Sequence, residues 1–313
     1  MLFRSYVYDK RKWEIKPDDF CGKTFPVFVG DISRKPRMLG TQENISKQDQ
    51  ILVDHIPVEY RKDFEIDIMR ALREIAGHST LALHPFIMNV EAMSACFGKR
   101  KSILNSTVTD FEFPELKFIP NRFIKPELSR WVHIDLSLTG DSTGIVIGHV
   151  PRFVKINRGE DIIETLPVIA IDCALEVRPP KGGEILFHKI RELLYKLRDR
   201  GLNIKWVTFD QYQSADNIQV LRQKGFTTGI QSMDRTTAPY EFTKMALYDG
   251  RIEAPTHDKL LEELQSLELD AKKGKIDHPS KNGSKDISDA LAGVVYGLTR
   301  RREVWAHHQV SLI

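Results

Sequence analysis

Three aspartates in the second half of the chain have the residue type and the surroundings for metal-assisted hydrolysis. Asp135 lies within the apolar run WVHIDLS, Asp210 ends the run WVTFD, and Asp286 begins the stretch DISDALAG. Burying a carboxylate in an apolar run is costly, so Asp135 is expected to have a chemical partner. Mg²⁺ and Mn²⁺ take such hard oxygen ligands, and two such ions can hydrolyse a phosphodiester by activating water and stabilising the leaving oxygen. We therefore predict a two-ion site at these three aspartates.

Two further aspartates are candidate ligands with simpler alternatives. Asp141 lies in GDSTG, which is typical of a turn, and an aspartate there commonly serves the turn itself. Asp289 follows Asp286 by three residues, so the two share neighbouring parts of one helix surface. Asp289 could hold a second metal, bind a water of the first, or only favour the helix start by its charge.

The pattern of the last helix distinguishes Asp286 from Asp289. Four apolar residues recur at i, i+4, i+7 and i+11 and define the core stripe: Ile287, Leu291, Val294 and Leu298. A second row with the same spacing flanks that stripe: Asp286, Ala290, Gly293 and Gly297. Small residues along this row would let the helix approach the sheet closely. We therefore expect Asp286 to face the sheet and Asp289 to point further towards solvent.

The elements that would position these residues follow an α/β order. Five runs rich in β-branched and apolar residues predict strands at 131–137, 143–149, 166–177, 204–210 and 227–233. Amphipathic stretches predict helices that end at Gly201 and Gly225, then near 239–249, 257–270 and 285–302. The order is that of an RNase H-like fold, a mixed five-stranded sheet flanked by helices. In that arrangement the first and fourth strands are neighbours and the last helix crosses beside them, which would bring the three aspartates together.

The chain before this pattern predicts a smaller α+β segment. CGKTFPVFVGD indicates a strand, apolar residues at helical spacing indicate one helix from Tyr60 to Gly77, and a proline-containing connector runs from Phe111 to Glu127. We predict a linking or packing region at 1–127 and an RNase H-like nuclease domain at 128–313.

Composition excludes several classes of protein. The sequence has no apolar run long enough to span a membrane and no signal-peptide pattern, so we expect no membrane partner and a location inside a cell. Its three cysteines are too widely spaced for a disulfide framework or a CxxC site.

Charge is distributed unevenly along the chain. The net charge of +3 is too weak to identify a nucleic-acid-binding protein, but residues 178–205 carry eight Lys or Arg against three acids, and 272–285 five against one. These runs are either solvated faces or contacts to DNA phosphates. The candidate DNA contacts are Lys181, Lys272, Lys273, Lys275, Lys281 and Lys285.

The motifs together resemble one family. HIDLSLTGDSTGIVIGH, TFDQYQSADNIQVLRQKGF, SMDRTTAPYEFTKMALYDGRIEAP and GKIDHPSKNGSKDISDALAGVVYGL cover most of residues 129–300 and resemble the C-terminal nuclease region of the large terminase subunit of tailed bacteriophages. The resemblance implies an enzyme that cuts concatemeric double-stranded viral DNA during genome packaging, in the cytoplasm of the infected bacterial host. It also implies Mg²⁺ or Mn²⁺ at the three aspartates, and a portal protein and a small terminase subunit as partners.

One part of that family's pattern is not found here. The N-terminal ATPase of large terminases carries a GxxxxGK[ST] phosphate-binding loop, and this sequence has no match to it. Either the chain is a fragment of a longer protein or the motor is encoded separately, and we expect the fragment.

Three alternatives remain open on sequence grounds. A Holliday-junction resolvase or a transposase also uses three carboxylates on this framework, and preference for branched DNA would favour it. DLSLTGDSTG superficially resembles the phosphate-binding hairpin of actin-like ATPases and sugar kinases, which measurable ATP binding would support. A catalytically inactive DNA-binding module is the third, although the three carboxylates argue against it.

Overall fold

The computed structural model describes residues 10–30, 36–40, 43, 46, 49–77, 85–112, 116–137, 142–159, 162–210, 214–270, 274–278 and 284–308. The chain divides into two compact units, Met1–Met88 and Asn89–Ile313. This division precedes the boundary expected after residue 127. Within the described residues, no helix is both long and apolar enough to cross a membrane.

The first unit is a small α+β structure, as predicted. The strands and helices are β1 (Thr24–Phe28), β2 (Arg37–Met38), β3 (Val53–Pro57), α1 (Lys12–Ile15), α2 (Arg61–Ile66) and α3 (Ile68–Glu74). The three strands form an antiparallel sheet with the order β2-β1-β3. Phe25 and Ile56 from the sheet pack with Phe64 and Leu72 from the helices in a common core.

The single helix predicted from Tyr60 to Gly77 is wrong, because Asp67 divides it. Asp67 has an extended backbone (φ −154°, ψ 90°), and its side chain accepts a hydrogen bond from the Arg70 N–H at 3.1 Å. An aspartate that caps a new helix in this way satisfies a backbone donor that a continuous helix would have used.

The second unit is built on a mixed sheet of seven strands among the described residues. The strands are β4 (Val108–Thr109), β5 (Arg130–Asp135), β6 (Thr143–Asn157), β7 (Ile163–Val177), β8 (Ile204–Phe209), β9 (Thr227–Ile230) and β10 (Ile252–Glu253). Their order is β10-β7-β6-β5-β8-β9, with β4 also paired to β7. Strands β5, β6 and β7 are antiparallel neighbours, whereas β8 and β9 run parallel to β5.

This topology confirms the predicted α/β fold class. The five predicted strands are all present, and the first lies beside the fourth, as the RNase H-like order requires. The two short strands β4 and β10 both pair with β7 and were not predicted.

Helices flank the sheet of the second unit. They are α4 (Val90–Ser94), α5 (Phe187–Asp199), α6 (Ala215–Gln223), α7 (Ala238–Tyr248), α8 (Asp258–Ser266), α9 (Asp286–Arg300) and α10 (Arg302–His307). The helical stretch predicted at 257–270 is wrong at its end. Helix α8 stops at Ser266 because the backbone becomes extended at Leu267, and β11 (Glu268–Asp270) then pairs with β12 (Lys275–Asp277).

Side chains of β5 alternate between two helical layers. Val132 and Ile134 are buried in the core that includes residues of α5 and α6. The intervening residues Trp131 and His133 contact α9. Because side chains of a strand alternate between its faces, Asp135 shares the face that α9 covers.

Helix α9 lies unusually close to this face of the sheet. A Cβ atom added at Gly293 would be 2.2 Å from Cγ of His133, and one added at Gly297 would be 2.3 Å from Cε2 of Trp131. On the sheet side, a Cβ at Gly144 would be 1.9 Å from the backbone oxygen of Asp286. The row of small residues therefore permits close approach, as the sequence predicted.

We predict that Gly293→Ala destabilises the second unit. Alanine favours a helix over glycine by about 1 kcal/mol, but overpacking against the His133 ring costs roughly 1–3 kcal/mol or more. The free energy of unfolding in urea should therefore fall. Gly229→Ala in β9 is the control, because an added Cβ there meets nothing within 4 Å. Wild-type stability in Gly293→Ala would contradict the close approach.

Candidate active site

Asp135 is the last residue of the central strand β5 and lies half-buried beneath α9. It pairs in register with Gly144 of β6. Burial raises its pKa well above the ordinary value, and the carboxylates of Asp289, Asp286 and Asp210 raise it further, while Lys285 opposes them. Four carboxylates from three elements of the fold therefore influence one another here.

Asp210 directly follows the parallel strand β8. Ile134 pairs in register with Phe209, and the Asp210 N–H donates to the Ile134 carbonyl at 3.4 Å. Because parallel neighbours end on the same edge of a sheet, this register brings Asp210 beside Asp135. The predicted juxtaposition of these two aspartates is present in the structure.

Asp286 is the first residue of α9 and is half-buried. Its Oδ2 accepts a hydrogen bond from the Ser142 hydroxyl at 2.7 Å, and the Ser284 hydroxyl lies 3.3 Å away. The contact of its backbone oxygen with Gly144 fixes it opposite the end of β5. Asp286 therefore faces the sheet, as predicted.

Asp289 does not point towards solvent, so that part of the prediction is wrong. Only 4% of Asp289 is exposed, since its Oδ1 accepts from the Tyr240 hydroxyl at 2.6 Å and its Oδ2 lies 3.2 Å from Lys285 Nζ. Helix α7, which carries the fully buried Tyr240, covers this side of α9. Burial raises the pKa of Asp289 to about 6, against the opposing effects of Lys285 and Tyr240.

Lys285 is enclosed by carboxylates. Its Nζ lies 2.5 Å from Asp234 Oδ1 and 3.2 Å from Asp289 Oδ2, and its side chain is 12% exposed. Burial lowers its pKa, but Asp289 and Asp234 outweigh that effect and raise it above the ordinary value. The ammonium group offsets part of the negative charge at the site.

The other lysines predicted to contact DNA differ in their surroundings. Lys181 is exposed in the turn after β7. Lys275 forms ion pairs with Asp234 at 3.2 Å and Asp277 at 2.8 Å. Three of the candidate lysines lie outside the described residues: Lys272, Lys273 and Lys281. The candidate ligand Asp141 also lies outside them.

Sequence reasoning missed Glu263, which comes from the neighbouring helix α8. Glu263 is 2% exposed, and its Oε2 accepts hydrogen bonds from the N–H groups of Ile287 at 3.0 Å and Ser288 at 2.8 Å. Burial raises its pKa to about 7, although the hydrogen bonds from Ser284 and Ser288 lower it. Leu260, Glu263 and Leu264 have the spacing of one helix face, and this spacing was the only sequence signal that the glutamate points inward.

The donor chemistry of the cluster fits a divalent cation. A nearby positive ion favours the charged form of a carboxyl such as that of Asp135, and carboxylate oxygens are the ligands that Mg²⁺ and Mn²⁺ accept. In the part of the chain that the structure describes, no group of three or more His, Cys, Asp or Glu side chains converges closely enough to form a ready-made metal site.

We predict that Asp135→Asn stabilises the protein at neutral pH in the absence of divalent ions. When folding raises the pKa of a carboxyl, the protonated group contributes stability at low pH. That contribution is lost as the pH rises through the pKa of the folded state. Urea unfolding at pH 7–8 should therefore show a higher free energy of unfolding for the variant than for the wild type. The gain should vanish as the pH falls towards the ordinary carboxyl value of about 4.

The exposed Asp199 provides the control for this measurement, since Asp199→Asn should leave the pH profile of stability unchanged. A wild-type protein more stable than Asp135→Asn at pH 7–8 would instead make Asp135 a structural residue.

Comparison with known proteins gives structural matches only. Neither a protein-family profile nor a curated protein sequence matches the chain. Solved structures similar to it include the large terminase nuclease from the thermophilic phage G20c, at 13% identity and a TM-score of 0.45, covering 66% of this chain and 95% of that chain. The large terminase nuclease domain of Thermus phage P74-26 has 13% identity and a TM-score of 0.43, covering 66% and 94%. The large terminase of bacteriophage HK97 has 14% identity and a TM-score of 0.42, covering 83% of this chain and 52% of that chain.

Proposed function

We propose that this chain is a metal-dependent endonuclease that cleaves double-stranded DNA by two-ion phosphodiester hydrolysis. The observation that carries the proposal is the grouping of Asp135, Asp210 and Asp286 at one edge of the sheet, where neighbouring carboxylates raise the pKa of Asp135. A carboxylate cluster of this kind destabilises the protein that carries it unless a cation binds there. Metal binding is the function that accounts for that cost.

Asp135, Asp210 and Asp286 would hold the ions. When bound, two such ions supply an activated water and stabilise the leaving oxygen of the phosphodiester. Ser142 would orient Asp286 through its hydrogen bond to Oδ2, and Lys285 offsets the charge of the neighbouring Asp289. Asp289 is then a supporting carboxylate, since Tyr240 and Lys285 engage its two oxygens.

The biological setting that we propose is genome packaging in a tailed bacteriophage, as the nuclease part of a large terminase subunit. The motifs across residues 129–300 support this role. The enzyme would then cut concatemeric viral DNA in the cytoplasm of the bacterial host, beside a portal protein, a small terminase subunit and an ATPase domain outside this sequence. The exposed Lys181 is a candidate contact to the DNA backbone.

We expect the purified chain to nick or linearise plasmid DNA in Mn²⁺ or Mg²⁺ and to be inactive in EDTA. Asp135→Asn and Asp210→Asn should each abolish cleavage, because each removes a negatively charged ligand without changing the size of the side chain. Asp199→Asn serves as the matched surface control and should cleave like the wild type. Cleavage that persists in excess chelator would refute the metal mechanism, and preference for a four-way junction over linear duplex would favour a resolvase.

Single-turnover cleavage should separate Asp286 from Asp289. We predict that Asp286→Asn loses essentially all activity, whereas Asp289→Asn loses about 10–100-fold, the effect typical of a residue that supports a metal ligand. Both variants should be compared at a temperature where circular dichroism shows each to be folded. The reverse order would make Asp289 the third ligand.

A further inference from the structure

The first turn of α9 lacks a cap of its own. An α-helix leaves its first backbone N–H groups without partners inside the helix, and a buried N–H without a partner is costly. Lys285 occupies the N-cap position of α9, and its side chain accepts no hydrogen bond from the backbone N–H groups of that turn. Ile287 and Ser288 in the first turn are both fully buried, so water cannot serve in its place.

Glu263 of α8 provides the missing cap. Its Oε2 accepts from the Ile287 and Ser288 N–H groups, and its Oε1 accepts from the Ser284 hydroxyl at 2.7 Å. Both oxygens of this buried carboxylate are therefore engaged with the chain around the start of α9.

These three hydrogen bonds bracket Asp286. Glu263 binds Ser284, two residues before Asp286, and Ile287 and Ser288, the two residues that follow it. The Asp286 backbone also rests against Gly144, where no Cβ atom could fit. The backbone around Asp286 is thus held by α8 and by contact with the start of β6.

We propose that Glu263 is a positioning residue for the nuclease reaction: it fixes the backbone on both sides of Asp286 so that the Asp286 carboxylate stays close to Asp135. This inference rests on the function proposed above. Without this bracket, the first turn of α9 would fray, and a cation would first have to order Asp286. Loss of Glu263 should therefore weaken metal binding more than it slows cleavage at saturating metal.

The test compares Glu263→Ala and Glu263→Gln with Glu262→Gln, a control at the exposed neighbouring position on the same helix. For each variant, Mn²⁺ binding without DNA is measured by calorimetry, and plasmid cleavage is measured across a range of Mn²⁺ concentrations. We expect Glu263→Ala to need about 10–100-fold more Mn²⁺ in both measurements. Glu263→Gln should stay within a few-fold of the wild type, because its amide oxygen still accepts from Ile287 and Ser288 and its amide nitrogen can donate to Ser284. Glu262→Gln should match the wild type.

Other outcomes would overturn the inference in distinguishable ways. A Glu263→Gln variant as inactive as Asp135→Asn would make Glu263 a ligand itself. If the Glu263→Ala variant folds and binds Mn²⁺ as tightly as the wild type, then Glu263 only caps α9 and does not position Asp286 for metal binding. If Glu263→Ala does not fold, Glu263→Asp replaces it: the shorter side chain should raise the Mn²⁺ requirement, and a wild-type requirement would contradict the proposal. A wild-type protein that neither binds Mn²⁺ nor cleaves DNA would refute the proposed function as well, whereas the preceding outcomes leave it intact.

Discussion

The close contact between α9 and the sheet determines the rest of the site. Glycine at position 144 of β6 and at positions 293 and 297 of α9 removes the side chains that would otherwise keep helix and sheet apart. The helix can therefore begin directly opposite the end of β5, where Asp135 lies. Side chains at these positions would move the helix away from the sheet and Asp286 away from Asp135. Packing and chemistry depend here on the same small residues.

The cost of this proximity is electrostatic repulsion, and the surrounding residues limit it without removing it. Lys285 lies between Asp234 and Asp289, and Tyr240 donates to Asp289. The pKa of Asp135 nevertheless remains well above its ordinary value. Lys285 therefore offsets only part of the effect that burial and the neighbouring carboxylates have on Asp135. In the function proposed above, a divalent cation would compensate for the rest.

The sequence was sufficient to predict the residues that lie on regular elements facing the core. The strand order placed Asp135 beside Asp210, and the helical row of Asp286 and Gly293 predicted close packing against the sheet. The orientation of Asp289 could not be predicted, because the periodicity of α9 gives angles around one helix but not the presence of α7 on its far side. Glu263 was missed for a related reason, since the helix that it caps lies more than 20 residues further along the chain. Interactions between distant segments need the fold before they can be recognised.

Asp135 differs from its partners in how firmly its own element is held. The strand β5 begins at Arg130, whose fully buried guanidinium pairs with Asp172 of β7 and donates to the carbonyls of Ile124 and Leu128. With β6 and β8 on either side, β5 is fixed along its whole length. Asp135 ends β5 but is still paired in register with Gly144, whereas Asp210 lies just beyond β8 and Asp286 begins α9, so their positions depend on local hydrogen bonds. Because a buried ion pair that loses one partner is strongly destabilising, the Arg130–Asp172 pair anchors the start of β5. In the function proposed above, the central strand would provide the fixed ligand, around which residues such as Glu263 and Ser142 would position the others.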